Sequence, residues 1–211
     1  MIMTNSISVR GADEADSKSI WEWRNDPHTR KNSVEQNEVS WESHCQWYAQ
    51  SLEAENRRIF VGIDEDTDTA IGMVRFDINA TEFTAATSIN LNPDWRGKGI
   101  SAQLLRLAIG EIQREQTLVL TAEIKPDNTP SIKCFERCGF ALYETSTERL
   151  VFKNKQGIID AIEQVRSANN VNWMDLMRLA FRKAPKEAEA IVGRINGDDG
   201  KISELLKRLG D

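Results

Sequence analysis

The sequence predicts an α+β fold over residues 7–153, followed by a helical extension. Three observations lead there. The elements read as strand, two helices, three strands, helix, strand, helix and two strands, which is an α+β order. The three middle strands are separated only by short turn clusters, as in an antiparallel meander. From residue 156 onward, β-like stretches give way to apolar stripes at helical spacing.

Ile7 to Arg10 reads as the first strand, and Asp13 to Arg24 as a helix carrying Ile20, Trp21 and Trp23. Asn25-Asp26-Pro27 stops that helix, because a residue before proline is biased out of the helical region. Ser40 caps a second helix through Trp41, Cys45, Trp47, Tyr48 and Leu52. Arg58 to Ile63, Ala70 to Ile78 and Thr84 to Leu91 form the meander. Ser101 to Arg114 carries Leu104, Leu105, Ala108, Ile109 and Ile112 at three- and four-residue spacing, a helix with one apolar face. Leu118 to Glu123 is a strand, Asn128 to Cys138 a helix, and Phe140 to Thr145 and Arg149 to Lys153 close the sheet.

The boundary is placed between 1–155 and 156–211. The second segment carries four stripes: Ile158, Ile162 and Val165; Trp173, Leu176, Met177 and Ala180; Ala188, Ile191, Val192 and Ile195; Ile202, Leu205, Leu206 and Leu209. Gly157, Asn169-Asn170, Pro185 and Gly197 to Gly200 punctuate them. So small a segment is expected to pack on the main domain or on a second copy of the chain in a homodimer.

Composition narrows the function. Acidic and basic side chains balance in residues 156–211, so the net charge of −6 resides in residues 1–155. An acidic body lacks the clustered Lys and Arg that nucleic acid demands. No run of 18 apolar residues suggests a membrane span, and residues 1–10 do not resemble an export signal, so a cytoplasmic protein is expected. Three cysteines favour reduced thiols. Cys134 and Cys138 lie one helical turn apart, but His28 and His44 are distant in sequence, and no metal is expected.

The most informative stretch runs from Ser88 through Asn92-Pro93-Asp94-Trp95 to Arg96-Gly97-Lys98-Gly99-Ile100-Ser101-Ala102, a strand entering a Gly-rich loop at a helix start. Backbone N–H groups and the positive helix terminus there favour a phosphate or pyrophosphate, with Arg96 able to add a charged bond. Lys98 is followed by Gly99, so a Walker loop fails. Gly97, Gly99 and Ala102 match a dinucleotide fingerprint literally, with Glu123 at the end of the next strand. Against that reading, Asn92 to Arg96 intervene between the strand and the first glycine, and too little chain follows Glu123 for further βα units.

The loop resembles the acetyl-CoA signature R/Q-x-x-G-x-G/A of the GNAT superfamily of N-acetyltransferases, with Ser101 in the last position. Asn128-Thr129-Pro130-Ser131-Ile132-Lys133-Cys134-Phe135-Glu136-Arg137-Cys138-Gly139-Phe140 is similar to the second signature, in which Asn opens a helix and Gly-Phe closes it. The resemblance implies a mixed, mostly antiparallel sheet with flanking helices, and a cleft between splayed fourth and fifth strands where acetyl-CoA lies. It implies that Leu91 N–H polarises the thioester carbonyl, that Arg96, Gly97, Lys98, Gly99, Ile100, Ser101 and Ala102 surround the pyrophosphate, and that Asn128, Ser131 and Phe135 meet the pantetheine. Many members place an acidic tyrosine where this chain has Phe135, so that acid is not carried over. For the base, Glu123 at the cleft mouth is the first choice and His44, whose pKa suits the task, the second.

Trp21 to Pro27 and Ser40 to Trp47 resemble the acceptor-side helices of the subgroup that acetylates a UDP-linked 4-amino-4,6-dideoxy sugar on the route to pseudaminic acid. Trp23, Arg24, Asn25 and Trp47 would then hold the nucleotide sugar, Arg on phosphate and aromatics against the rings. The same kind of segment occurs in relatives acting on protein N-termini and polyamines. A further alternative is an acetyl-CoA-binding domain without activity that docks on a partner through its tail.

Overall fold

The computed structural model describes residues 6–154, 159, 166 and 173–209. The strands are β1 (Ile7–Gly11), β2 (Arg57–Asp64), β3 (Thr69–Asn79), β4 (Thr84–Leu91), β5 (Val119–Ile124), β6 (Phe140–Thr145) and β7 (Leu150–Asn154). They form one seven-stranded sheet in the order β1-β2-β3-β4-β5-β7-β6. All neighbours are antiparallel except β4 and β5, which run parallel. The helices are α1 (Ser17–Asn25), α2 (Pro27–Asn32), α3 (Trp41–Glu53), α4 (Ser101–Glu115) and α5 (Thr129–Arg137).

Side-chain alternation along the strands divides the core between the two faces of the sheet. Phe60, Val74 and Phe76 join Leu104, Leu105 and Ile112 of α4 and Phe135 of α5 on one face. Ile59, Val61 and Met73 join Ile20 and Trp23 of α1 and Tyr48 of α3 on the other. Leu104 and Leu105 are fully buried, so truncating either to Ala costs about 2–5 kcal/mol.

The pairing of β4 is lopsided, and this makes the cleft. Its whole length from Thr84 to Leu91 pairs with β3. Its other edge meets β5 only at Thr84, Ala85 and Ala86. Beyond Ala86 the two parallel strands separate, and β5 continues in pairing with β7 up to Ile124.

Two elements differ from the sequence reading. Three helices follow β1, because Asp26 caps a new helix by accepting the Thr29 N–H at 3.0 Å, with Pro27 in its first turn. Proline at that position lacks only an N–H the helix would leave unpaired, so it starts α2 as readily as it ends α1. In the extension, residues 173–183 are helical (α6), and α7 runs unbroken over Pro185–Leu209. The third and fourth stripes therefore belong to one helix: an internal glycine costs about 1 kcal/mol against alanine without removing a hydrogen bond. The stripe of Ile158, Ile162 and Val165 lies outside the described residues. The chain divides into two units, Met1–Ala161 and Ile162–Asp211.

Candidate active site

The splayed end of β4 opens into a cavity of about 640 Å³. Ser88, Ile89 and Asn90 of β4, Glu123 and Ile124 of β5, and Asn128, Ser131 and Phe135 at the start of α5 line one side. Arg24, the segment from Ser33 to Glu35, Val39, His44, Trp47 and Arg75 line the other.

Next to β4 the chain turns through a short helical turn, Pro93–Trp95, into the loop before α4. Gly97 and Gly99 have φ of +74° and +76°, left-handed values that an L side chain adopts only with strain. Ile100 provides no side-chain cap to α4, whereas Ser40 caps α3 and Asn128 caps α5. The first backbone donor of α4 to close a helical bond to Ile100 is Leu104 N–H, at 2.9 Å. The N–H groups ahead of it thus face an open helix terminus carrying the partial positive charge that attracts an anion. Lys98 Nζ lies 4.1 Å from the centre of the Trp95 ring at the same loop.

Arg96 is bonded to the cap and first turn of α2. Its guanidinium donates to Asp26 Oδ1 at 2.6 Å and to Thr29 Oγ1 at 2.8 Å. Thr29 Oγ1 in turn donates to Asn90 Oδ1 at 3.1 Å. Burial would raise the Asp26 pKa, yet the Thr29 N–H and Arg96 hold it below the ordinary carboxylate value. Arg96 therefore fastens the α1–α2 junction to the end of β4.

On the opposite side of the cavity, one segment is pinned by three residues of α1. Trp21 Nε1 and Asn25 Nδ2 both donate to the Val39 carbonyl, at 2.7 and 2.8 Å, while Val39 N–H donates back to Asn25 Oδ1 at 2.9 Å. Arg24 donates to the Glu35 carbonyl at 2.8 Å. Asn25 thus uses both ends of its amide as a latch, and Trp23 is 5% exposed in the α1–α3 core; neither lines the cavity. Arg24 and Trp47 do.

Glu123 reaches the cavity wall and is ion-paired with Arg149, whose Nη1 lies 3.0 and 3.2 Å from the two carboxylate oxygens. His44 is 2% exposed, stacked among Trp41, Trp47 and Tyr48, with Nε2 2.8 Å from the Ser17 carbonyl. Burial lowers its pKa, and the Ser17 bond opposes this only in part. Asn128 accepts the Ser131 N–H at 3.2 Å and so caps α5. Phe135 is buried edge-on against Phe140, with ring centres 4.9 Å apart. Leu91 ends β4 opposite Gly72 of β3.

Residues 17–140, more than half of the chain, match the acetyltransferase (GNAT) family. The chain belongs to that family. This N-acetyltransferase takes acetyl-CoA as its co-substrate, and the site fits the group on two observations above: the parting of β4 from β5, and the uncapped, glycine-led start of α4. Among solved structures, the acetyltransferase is similar to a spermidine N-acetyltransferase from Vibrio cholerae in complex with CoA and spermine, with 20% identity and a TM-score of 0.63 over 70% of this chain and 92% of that one. A domain from Methanocaldococcus jannaschii matches at 22% identity and a TM-score of 0.61, covering 70% of this chain and 97% of that one. An aminoglycoside acetyltransferase in complex with coenzyme A matches at 19% identity and a TM-score of 0.60, covering 74% and 98%. No curated protein sequence matches the chain. Among the described residues, no cluster of His, Cys, Asp and Glu could hold a metal, and no helix is long and apolar enough to cross a membrane.

Proposed function

We propose that this acetyltransferase acetylates the amine of a nucleotide-linked amino sugar. The observation that carries the reading is Arg24, a partly buried guanidinium in the wall of the cavity facing the splayed strands. A diphosphate is a fitting partner for such a group, and Trp47 beside it offers a flat surface for a ring. A remote handle of this kind supplies binding energy that orients the reacting amine.

The thioester of acetyl-CoA supplies the acetyl group and a thiolate leaving group. Gly97 to Ala102 hold the pyrophosphate through backbone N–H groups, Asn128 and Ser131 face the pantetheine, and Leu91 N–H polarises the carbonyl. Glu123 takes the proton of the acceptor amine through a water. His44 is the other candidate base; its Nε2 is already engaged with Ser17. Phe135 provides no acid, and a thiol of pKa about 8.5 leaves with protonation by water.

The test is steady-state CoA release with a UDP-linked 4-amino-4,6-dideoxy sugar, spermidine and a short peptide as acceptors. The reading expects the sugar nucleotide to be the efficient substrate. Efficient turnover of spermidine or peptide, with none of the sugar nucleotide, rejects it and gives the roles at the cavity's carboxylates, Glu35 and Glu123, to a cationic acceptor.

A further inference from the structure

Arg75 sits in the middle of β3, opposite Ser88 of β4, and its side chain lines the same cavity. It is 31% exposed. Its Nε is buried 2.9 Å from Asp77 Oδ2 but makes no directed hydrogen bond, and Asp77 is shared with Arg57, whose Nε lies 2.5 Å from Oδ1. Both guanidiniums sit 5.6 Å from the centre of the Trp47 ring. Among the described residues, the terminal amino groups of Arg75 make no hydrogen bond.

Arg24 is left in a similar condition. One amino group is bonded to the Glu35 carbonyl, and the other, Nη1, is buried without a partner. Burial lowers its pKa first, and the nearby positive charges of Arg30 and Arg75 add to that against the pull of Glu35. Two like-charged guanidiniums in the wall of one cavity, each with a buried N–H that makes no hydrogen bond, are stabilised by an oxyanion placed between them. Thr87, in the adjoining wall, also has a buried hydroxyl without a partner.

We infer that Arg75 and Arg24 together form a seat for a phosphate-class oxyanion on the acceptor. The inference rests on this cavity being the acceptor's, and not on which amine the acceptor carries. Arg75 supplies the open fork from β3, and Arg24 closes the seat from α1. It makes β3 a determinant of acceptor choice, with anionic acceptors favoured over polycations.

The experiment is calorimetric titration of the full-length protein, saturated with CoA to occupy the α4 terminus, with inorganic pyrophosphate and UDP as probes and uridine as the uncharged control. Pyrophosphate and UDP are expected to bind and uridine to bind far more weakly. Arg75→Gln and Arg24→Gln should each weaken UDP by about tenfold or more, with CoA affinity unchanged, because each removes a charge-assisted bond. Arg75→Lys, which keeps the charge and loses the fork, should fall between, and it reads the effect if Arg75→Gln folds poorly. Arg58→Gln, whose partner is Glu115, should leave UDP binding as it was. Absence of pyrophosphate and UDP binding, or binding indifferent to both Arg75 variants, overturns the seat. Failure of the sugar reading looks different: UDP still binds through Arg75, yet no UDP-linked amino sugar releases CoA. Conversely, turnover of such a sugar with a KM untouched by Arg75→Gln removes the seat and keeps the sugar.

Discussion

In the proposed acetyl-CoA site the binding groups are backbone: N–H groups of a loop shaped by Gly97 and Gly99, and the uncapped start of α4. On the proposed acceptor side they are side chains delivered from α1, from the segment pinned at Val39, and from β3. A backbone site recognises what every substrate pair shares, and changes in side chains leave it intact. A side-chain site can be retuned residue by residue while the sheet stays the same, which suits the half of the reaction that defines specificity. Arg96 joins the two, because its bonds to Asp26 and Thr29 link the α1–α2 junction to the end of β4.

The division can be broken by substitutions that ought to act on one side alone. The largest effect is expected from Glu123→Gln, which should lower kcat by about a hundredfold or more while acetyl-CoA affinity holds, as read by initial rates and calorimetry. Unchanged turnover would transfer the base role to His44 or to solvent. Gly99→Val should weaken acetyl-CoA by at least about tenfold, since a β-branched residue resists a φ of +76°, with the acceptor KM little changed. Arg96→Ala sharpens the comparison from the middle. It strips charged bonds from the partly buried Asp26, so a loss of about 1.5–3 kcal/mol in denaturant unfolding is expected, with only a small direct change in acetyl-CoA affinity. A large affinity loss without a stability loss would put Arg96 on the pyrophosphate after all.

The smallest effect is a pH dependence. Burial lowers the His44 pKa from its ordinary 6.5, so the unfolded chain binds more protons than the folded one below that value. The stability from keeping His44 neutral is fully present above pH 6.5 and drains away as pH falls through the lowered value. His44→Phe should flatten the fall of melting temperature on acidification. A slope identical to the parent's would show that other groups dominate it.

The fold was largely legible because its elements are bounded by strong local signals. β4 and β6 begin and end where turn residues said they would, and Ser40 marks the start of α3. α2 is hidden in the sequence because Pro27 reads as a stop, although the Asp-Pro pair also starts a helix. The loop before α4 was legible because positive φ calls for glycine, which sequence records directly. The proposed acceptor side was harder. Trp23, Arg24 and Asn25 are consecutive, so a helix sends them to three directions about 100° apart: the core, the cavity and the Val39 latch. The three-residue spacing of Ile20 and Trp23 was the signal that Trp23 faces inward. Arg75 gave no such signal, because a lone arginine in an apolar strand shows its surroundings only once α1 and α3 are packed against the sheet.

The most direct test of the account is a two-substrate kinetic analysis of Arg24→Ala with the sugar nucleotide as acceptor. The account predicts an acceptor KM raised by about tenfold, as a lost charge-assisted contact implies, with the KM for acetyl-CoA unchanged. An equal rise in the KM for acetyl-CoA, or an acceptor KM that does not move, would contradict the assignment of the two sides of the cavity.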